Sequence, residues 1–197
     1  MMPTLTEGQL RFQFPDQWQV TKFDEWSFYR SQFMKLAEAC LSCSRCEADI
    51  VCAACRNKNV AGTKGVDFLA IDSDSTCWHI EVKDYRSTRT SNFACLADVV
   101  ALKVRDTLAC LVAAQLNAPD AEEKQFAKKA VRASRHRIVL HLEQPTSGRS
   151  LSSTKTCRVN VLARLKQLVK AIDPHPIVID MTSAGDVSWT VTQIGAT

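Results

Sequence analysis

Residues 65–86, GVDFLAIDSDSTCWHIEVKDYR, constrain the fold of this chain more than any other stretch. Two runs rich in β-branched and aromatic residues flank a turn-forming SDST, the pattern of a hairpin. The segment at 91–117, SNFACLADVVALKVRDTLACLVAAQLN, is apolar almost all round and holds neither Gly nor Pro. It predicts a long, well-buried helix that ends near Ala118-Pro119. A hairpin feeding such a helix places its strands centrally in a sheet. Yet Asp67, Glu81 and Lys83 lie inside those strands, where a charge is costly unless it is paired or serves a site.

Side chains alternate along a strand, so Glu81 and Lys83 share one face while Ile80 and Val82 take the other. Asp67 stands 14 residues before Glu81, and a tight hairpin folds it back toward Glu81. Close carboxylates repel unless a cation lies between them, and a hard divalent ion accepts carboxylates together with water and phosphate oxygens. On an exposed edge, an E-x-K would be an ordinary surface ion pair of little energetic weight. The central placement argues for a site instead. His79 alternates with Glu81 and borders the same face, while Asp72 and Asp74 belong to the connecting turn.

The rest of the chain interleaves α and β patterns with no repeat and no low-complexity segment. LRFQF and WQVTKF, split by Pro15-Asp16, read as a short hairpin or an irregular lead-in. From Asp24, DEWSFYRSQFMKLAEACLSCSR spaces Trp26, Tyr29, Phe33, Leu36, Ala37 and Cys40 as a first helix, which Asp24 or Ser27 can cap. DIVCAA, GVDFLAID and CWHIEVKDY suggest a three-stranded meander. EEKQFAKKAVRASR reads as a basic helix, RIVLHLEQP as a buried strand, TCRVNVLARLKQLVKAID as an amphipathic helix, and PIVID and VSWTVTQI as closing strands; TSGRSLSSTK reads as a mobile linker.

GVDFLAID followed by WHIEVKDYR resembles the PD-(D/E)xK nuclease superfamily, the restriction-endonuclease-like fold. The resemblance covers about 24–145, and the order helix, three strands, helix, strand agrees with it. It implies an α/β fold with a mixed central sheet flanked by helices, to which 146–197 add a C-terminal helix and strands in one domain over 1–197. It further implies a Mg²⁺- or Mn²⁺-dependent phosphodiesterase, with Asp67, Glu81 and the Val82 backbone carbonyl as metal ligands and Lys83 as the catalytic lysine. Val66 stands where the family's motif has Pro, and Pro15-Asp16 is a decoy ahead of the first helix. Many members also carry a Glu on that helix. At about 100° per residue, Glu25 borders the buried stripe and Glu38 lies opposite, so Glu25 is the candidate; a first-turn carboxylate favouring the helix dipole is the other reading.

Nine cysteines, an odd number, argue against a complete disulfide framework and fit a reducing compartment. Cys40, Cys43, Cys46, Cys52 and Cys55 give C-x2-C-x2-C-x5-C-x2-C, with Cys43, Cys46, Cys52 and Cys55 as a candidate structural zinc set. The short central gap and the helical phase of the first three argue against it. Cys77, Cys95, Cys110 and Cys157 read as small core residues. The net charge of +4 permits a polyanionic partner without requiring one. Arg86 and Arg89 follow the site, and Lys128, Lys129, Arg132 and Arg135 crowd one segment; all six are candidate nucleic-acid contacts. The expectation is therefore a metal-dependent nuclease, acting on DNA ahead of RNA, in a restriction, phage-defence, mobile-element or repair setting, with a homodimer or a partner protein left open. A noncatalytic nucleic-acid-binding or subunit-docking module on the same fold is the alternative, and a cysteine-based zinc or redox protein is a third. No apolar run has the length of a membrane span and no signal-peptide pattern opens the chain, so a cytoplasmic protein without membrane contact is expected.

Overall fold

A computed structural model describes residues 2–34, 63–86, 96–144, 151–183 and 187–195, with side chains in 151–169 described from Arg158 onward. In chain order the strands are β1 (Thr4–Glu7), β2 (Leu10–Gln13), β3 (Gln19–Lys22), β4 (Phe68–Ile71), β5 (Thr76–Asp84), β6 (Arg135–Glu143), β7 (Ile177–Ile179) and β8 (Thr190–Gln193). The helices are α1 (Leu96–Asn117) and α2 (Ala121–Val131), between β5 and β6, and α3 (Leu151–Val169), between β6 and β7. A 3₁₀ turn (Phe23–Glu25) and a π-helical turn (Tyr29–Phe33) follow β3.

The five-stranded sheet has the order β3-β4-β5-β6-β7, antiparallel across β3, β4 and β5 and parallel across β5, β6 and β7. This is the expected mixed sheet with helices. The hairpin at its centre is set by its turn: Asp72 Oδ1 accepts from the Asp74 and Thr76 N–H groups at 2.9 and 2.8 Å, and Ser75 takes a positive φ of 58°. Such side-chain-to-backbone bonds are why Asp is at home in turns. Parallel β5 and β6 need a crossover, which α1 and α2 provide.

Each face of the sheet buries its own cluster. Leu69, Ile71, Cys77, Ile138, Leu140 and Leu142 face helices, packing with Val100, Val104 and Leu111 of α1 and with Leu165 of α3. Phe68, Ala70, Ile80, Val82 and Val139 face a second, three-stranded antiparallel sheet of order β1-β2-β8, whose Leu10 and Phe12 close that side. Trp18 stacks on Trp78 at 5.9 Å, and Trp189 meets both rings edge-on.

Several expected elements differ. Among the described residues the antiparallel meander is β3-β4-β5; the expected strand DIVCAA lies outside them. The expected lead-in hairpin is split between the sheets, β2 pairing with β1 and β8 while β3 pairs with β4. Helical winding does not run continuously from Asp24, because Trp26 turns extended (φ −56°, ψ 134°) after the 3₁₀ turn. The turn that follows is capped from elsewhere: the Glu123 carboxylate of α2 accepts from Ser27 N–H at 2.6 Å and Phe28 N–H at 3.1 Å. Part of the expected linker, 151–155, belongs to α3. No helix among the described residues is long and apolar enough to cross a membrane.

Candidate functional site

The charged residues of the hairpin do converge. Asp67 precedes β4, and beyond the last paired residues, Phe68 and Ile80, its Oδ2 accepts from Val82 N–H at 2.7 Å. That bond fixes the carboxylate on the face that Glu81 and Lys83 share. Glu81 is fully buried and its Oε1 lies 2.5 Å from Lys83 Nζ, whose side chain keeps 26% of its exposure. The sequence reading did not single out the fourth member. Lys103 of α1 places Nζ 2.7 and 2.9 Å from the Glu81 oxygens and 3.3 Å from Asp67 Oδ1.

Helix α1 is anchored so that Lys103 must face this way. One turn on, Thr107 Oγ1 accepts from Val66 N–H at 3.0 Å and donates to the Lys103 carbonyl at 2.8 Å, while Asp106 Oδ2 accepts from Lys64 N–H at 3.0 Å. Residues three and four apart on a helix share a face, so docking Asp106 and Thr107 on 64–66 points Lys103 at Asp67. The Tyr29 hydroxyl accepts from Gly65 N–H at 2.7 Å and donates to the Thr63 carbonyl at 3.1 Å, closing the other side of the same segment.

The electrostatics follow from burial. Burial, then the Asp67 carboxylate, pushes Glu81 above the usual carboxylate range against the pull of Lys103 and Lys83. Burial pulls the Lys103 ammonium down, but Glu81 and Asp67 together outweigh it and hold it above its ordinary value. Two carboxylates thus meet two ammonium groups. The oxygens of Asp67 and Glu81 form a donor set that fits a hard divalent ion. Their point of convergence is held by Lys103 Nζ, so such an ion would bind there by displacing the ammonium.

The remaining candidates are distributed more widely. Glu25 is not drawn to the cluster: its side chain is half exposed and pairs with Lys22 at 3.1 Å. Its neighbour Asp24 is closer electrostatically, raised by burial and also by Asp67, and its Oδ1 is buried with no hydrogen-bond partner among the described residues. Val82 engages Asp67 through its N–H. Arg86 is committed to Asp84, at 2.6 and 2.8 Å, and to Gln193 at 2.8 Å. Lys128, Lys129, Arg132 and Arg135 are exposed at and just beyond the C-terminal end of α2, with Lys129 touching Gln19 Oε1 at 3.1 Å. Arg89 and the candidate zinc set Cys43, Cys46, Cys52 and Cys55 lie outside the described residues. Cys77 and Cys110 are buried free thiols, and burial pushes each up to about 12. His79 stands two residues before Glu81 on β5, with its Nε2 3.0 Å from His136 Nδ1. Burial and then His136 lower it to about 3.

Comparison with known proteins redirects the functional reading. A cysteine–tRNA ligase of Neisseria meningitidis serogroup A is 33% identical over 172 residues, which are 82% of this chain and 24% of the ligase. The chain therefore spans about a quarter of that relative's length. No family model matches the chain, and no solved structure matches it. The similarity corrects the expectation of a nuclease: the relative is a tRNA ligase, and the hydrolase, endonuclease and restriction readings of the D-x13-E-x-K pattern are set aside.

Proposed function

We propose that this chain is a tRNA-binding unit of an aminoacyl-tRNA-ligase-related system, built on a restriction-endonuclease-like core that binds nucleic acid without cutting it. The similarity to about a quarter of a cysteine–tRNA ligase carries this reading. Two features support it. Exposed Lys128, Lys129, Arg132 and Arg135 form a basic edge suited to a phosphate backbone, and Lys103 holds the Asp67–Glu81 pair as a closed ion network. Enzymatic activity belongs, in this reading, to ligation chemistry on tRNA, to which the unit contributes substrate binding. A Mg²⁺ or Mn²⁺ ion would be held by Asp67 and Glu81, and when bound it supplies positive charge beside Lys83 for a phosphate oxygen.

The test is fluorescence anisotropy with labelled tRNA and with duplex DNA of equal length across a salt series. Salt-dependent binding that favours tRNA is expected, with a tenfold or greater loss in the triple variant K128E/K129E/R132E. Salt-independent association, equal affinity for the DNA, or a triple variant that binds tRNA like the parent protein would refute it.

A further inference from the structure

A second group of chemistry-bearing side chains lies on the helix-facing side of the sheet, beside the carboxylate–lysine cluster but independent of it. Cys77 and His136 are partners across the parallel strands β5 and β6, and His79 stands two residues along β5 on the same face. One ligating atom from each of Cys77, His79 and His136 lies within 4.8 Å of the other two. We propose that these three residues bind a single transition-metal ion of the zinc class.

The donor chemistry selects the metal. Thiolate and imidazole suit zinc and its neighbours, whereas carboxylate and water suit magnesium, so this site and the Asp67–Glu81 pair take different ions. A tetrahedral zinc with bonds of about 2.0–2.3 Å holds its donors roughly 3.3–3.8 Å apart. The three donors, all within 4.8 Å of one another, exceed that spacing by no more than about one ångström, within reach of a side-chain adjustment.

A hydrogen-bonded histidine pair beside a core cysteine is the competing account, and it leaves something over. A shared proton uses His79 Nε2, but His79 is fully buried and its Nδ1 has no hydrogen-bond partner among the described residues. A buried polar atom without a partner is uncommon and calls for an unseen ligand. His136 is only half-buried and gives the site its approach from solvent. Three protein ligands leave a fourth position for water or another donor, the arrangement of open rather than closed zinc sites.

Cobalt(II) reports on such a site through its spectrum. Metal-free full-length protein, titrated with Co²⁺, is expected to take one equivalent with visible bands of tetrahedral geometry and a near-ultraviolet sulfur-to-cobalt band. Zn²⁺ should bleach both, and a large excess of Mg²⁺ should not. Cys77→Ser should abolish the sulfur band, and His136→Gln, a change at a half-buried position, should weaken binding at least tenfold. Far-ultraviolet circular dichroism confirms that each variant is folded; if C77S fails to fold, H136Q alone decides. A variant lacking Cys43, Cys46, Cys52 and Cys55 should keep the spectrum. Loss of the spectrum in that variant with retention in H136Q, or no tetrahedral spectrum at all, would overturn the proposal.

Discussion

Replacing Lys103 by Met tests whether the carboxylates depend on that ammonium. Methionine keeps the aliphatic stem and removes the charge between Glu81 and Asp67, contacts of 2.7 and 3.3 Å. Removing one partner of a buried pair costs about 3–5 kcal/mol. The lower end applies here, about 3 kcal/mol, because Glu81 keeps Lys83 at 2.5 Å and Asp67 keeps Val82 N–H at 2.7 Å. For a chain of this length that corresponds to a drop in Tm of about 6–12 °C at pH 7.5. The loss must depend on pH with a definite sign. Glu81 is already raised in the folded state, and without Lys103 it rises further, so the folded variant binds a proton that the unfolded chain releases at the ordinary glutamate value of 4.5. Stability is then fully retained below that value and lost as pH climbs through the folded-state value, at most about 1.4 kcal/mol per pH unit. Urea unfolding of K103M and the parent at pH 4.5, 6 and 7.5 measures this, and the double variant K103M/E81Q should recover most of the loss. A K103M protein within about 0.5 kcal/mol of the parent at every pH would refute the reasoning.

Three further changes probe the frame around the site. Gly65→Ala sets a Cβ 2.6 Å from a Phe23 ring carbon, and overpacking of this kind should cost about 1–3 kcal/mol by urea unfolding; an unchanged midpoint would mean that the ring yields freely. Asp120→Ala removes the cap that accepts from Glu122 and Glu123 N–H at 2.8 and 2.9 Å, for a loss of about 1 kcal/mol. Because Glu123 in turn caps Ser27 and Phe28, hydrogen exchange at those two amides should also speed up. Trp189→Ala empties the junction with Phe14, Trp18 and Trp78 and should cost about 3–5 kcal/mol, with a change in tryptophan fluorescence beyond the loss of one ring.

What the sequence made legible divides by the range of the interactions involved. The hairpin, α1, α2 and β6 are each marked by local periodicity and a nearby turn or cap signal, and the convergence of Asp67 on Glu81 follows from hairpin geometry. Lys103 was invisible because it is one lysine on a helix whose phase against the sheet is set by distant bonds, Thr107 to Val66 and Asp106 to Lys64. The choice of Glu25 over Glu38 rested on a helical wheel, which assumes an unbroken helix; the extended Trp26 interrupts that winding, and Glu25 pairs with Lys22, while Glu38 lies outside the described residues. The role of β3 was hidden for a similar reason, since its pairing with β4 joins residues nearly fifty positions apart and no local pattern announces it. The functional expectation failed differently: D-x13-E-x-K describes where charges sit and not what they do, and the similarity to a tRNA ligase overturned it.

The fourth charge, that of Lys103, has a consequence for polyanion binding. Asp67 and Glu81 against Lys83 and Lys103 sum to zero when all are ionised, so the cluster presents an approaching phosphate with no net attraction. With no metal ion bound, the phosphate affinity proposed for this chain then comes from the exposed basic end of α2. Binding to phosphates shows in the salt dependence, each contact contributing roughly 0.7–0.9 to the slope of log K against log salt concentration. K128A and R132A should each lower the slope by about one and weaken tRNA binding at low salt. K103M, assayed at 15 °C with its fold verified by circular dichroism, should leave the slope unchanged, because the ammonium it removes is already paired with carboxylates. If K103M shifts the slope as far as K128A does, the cluster itself meets the phosphate backbone, and Lys103 is a gate that the nucleic acid opens.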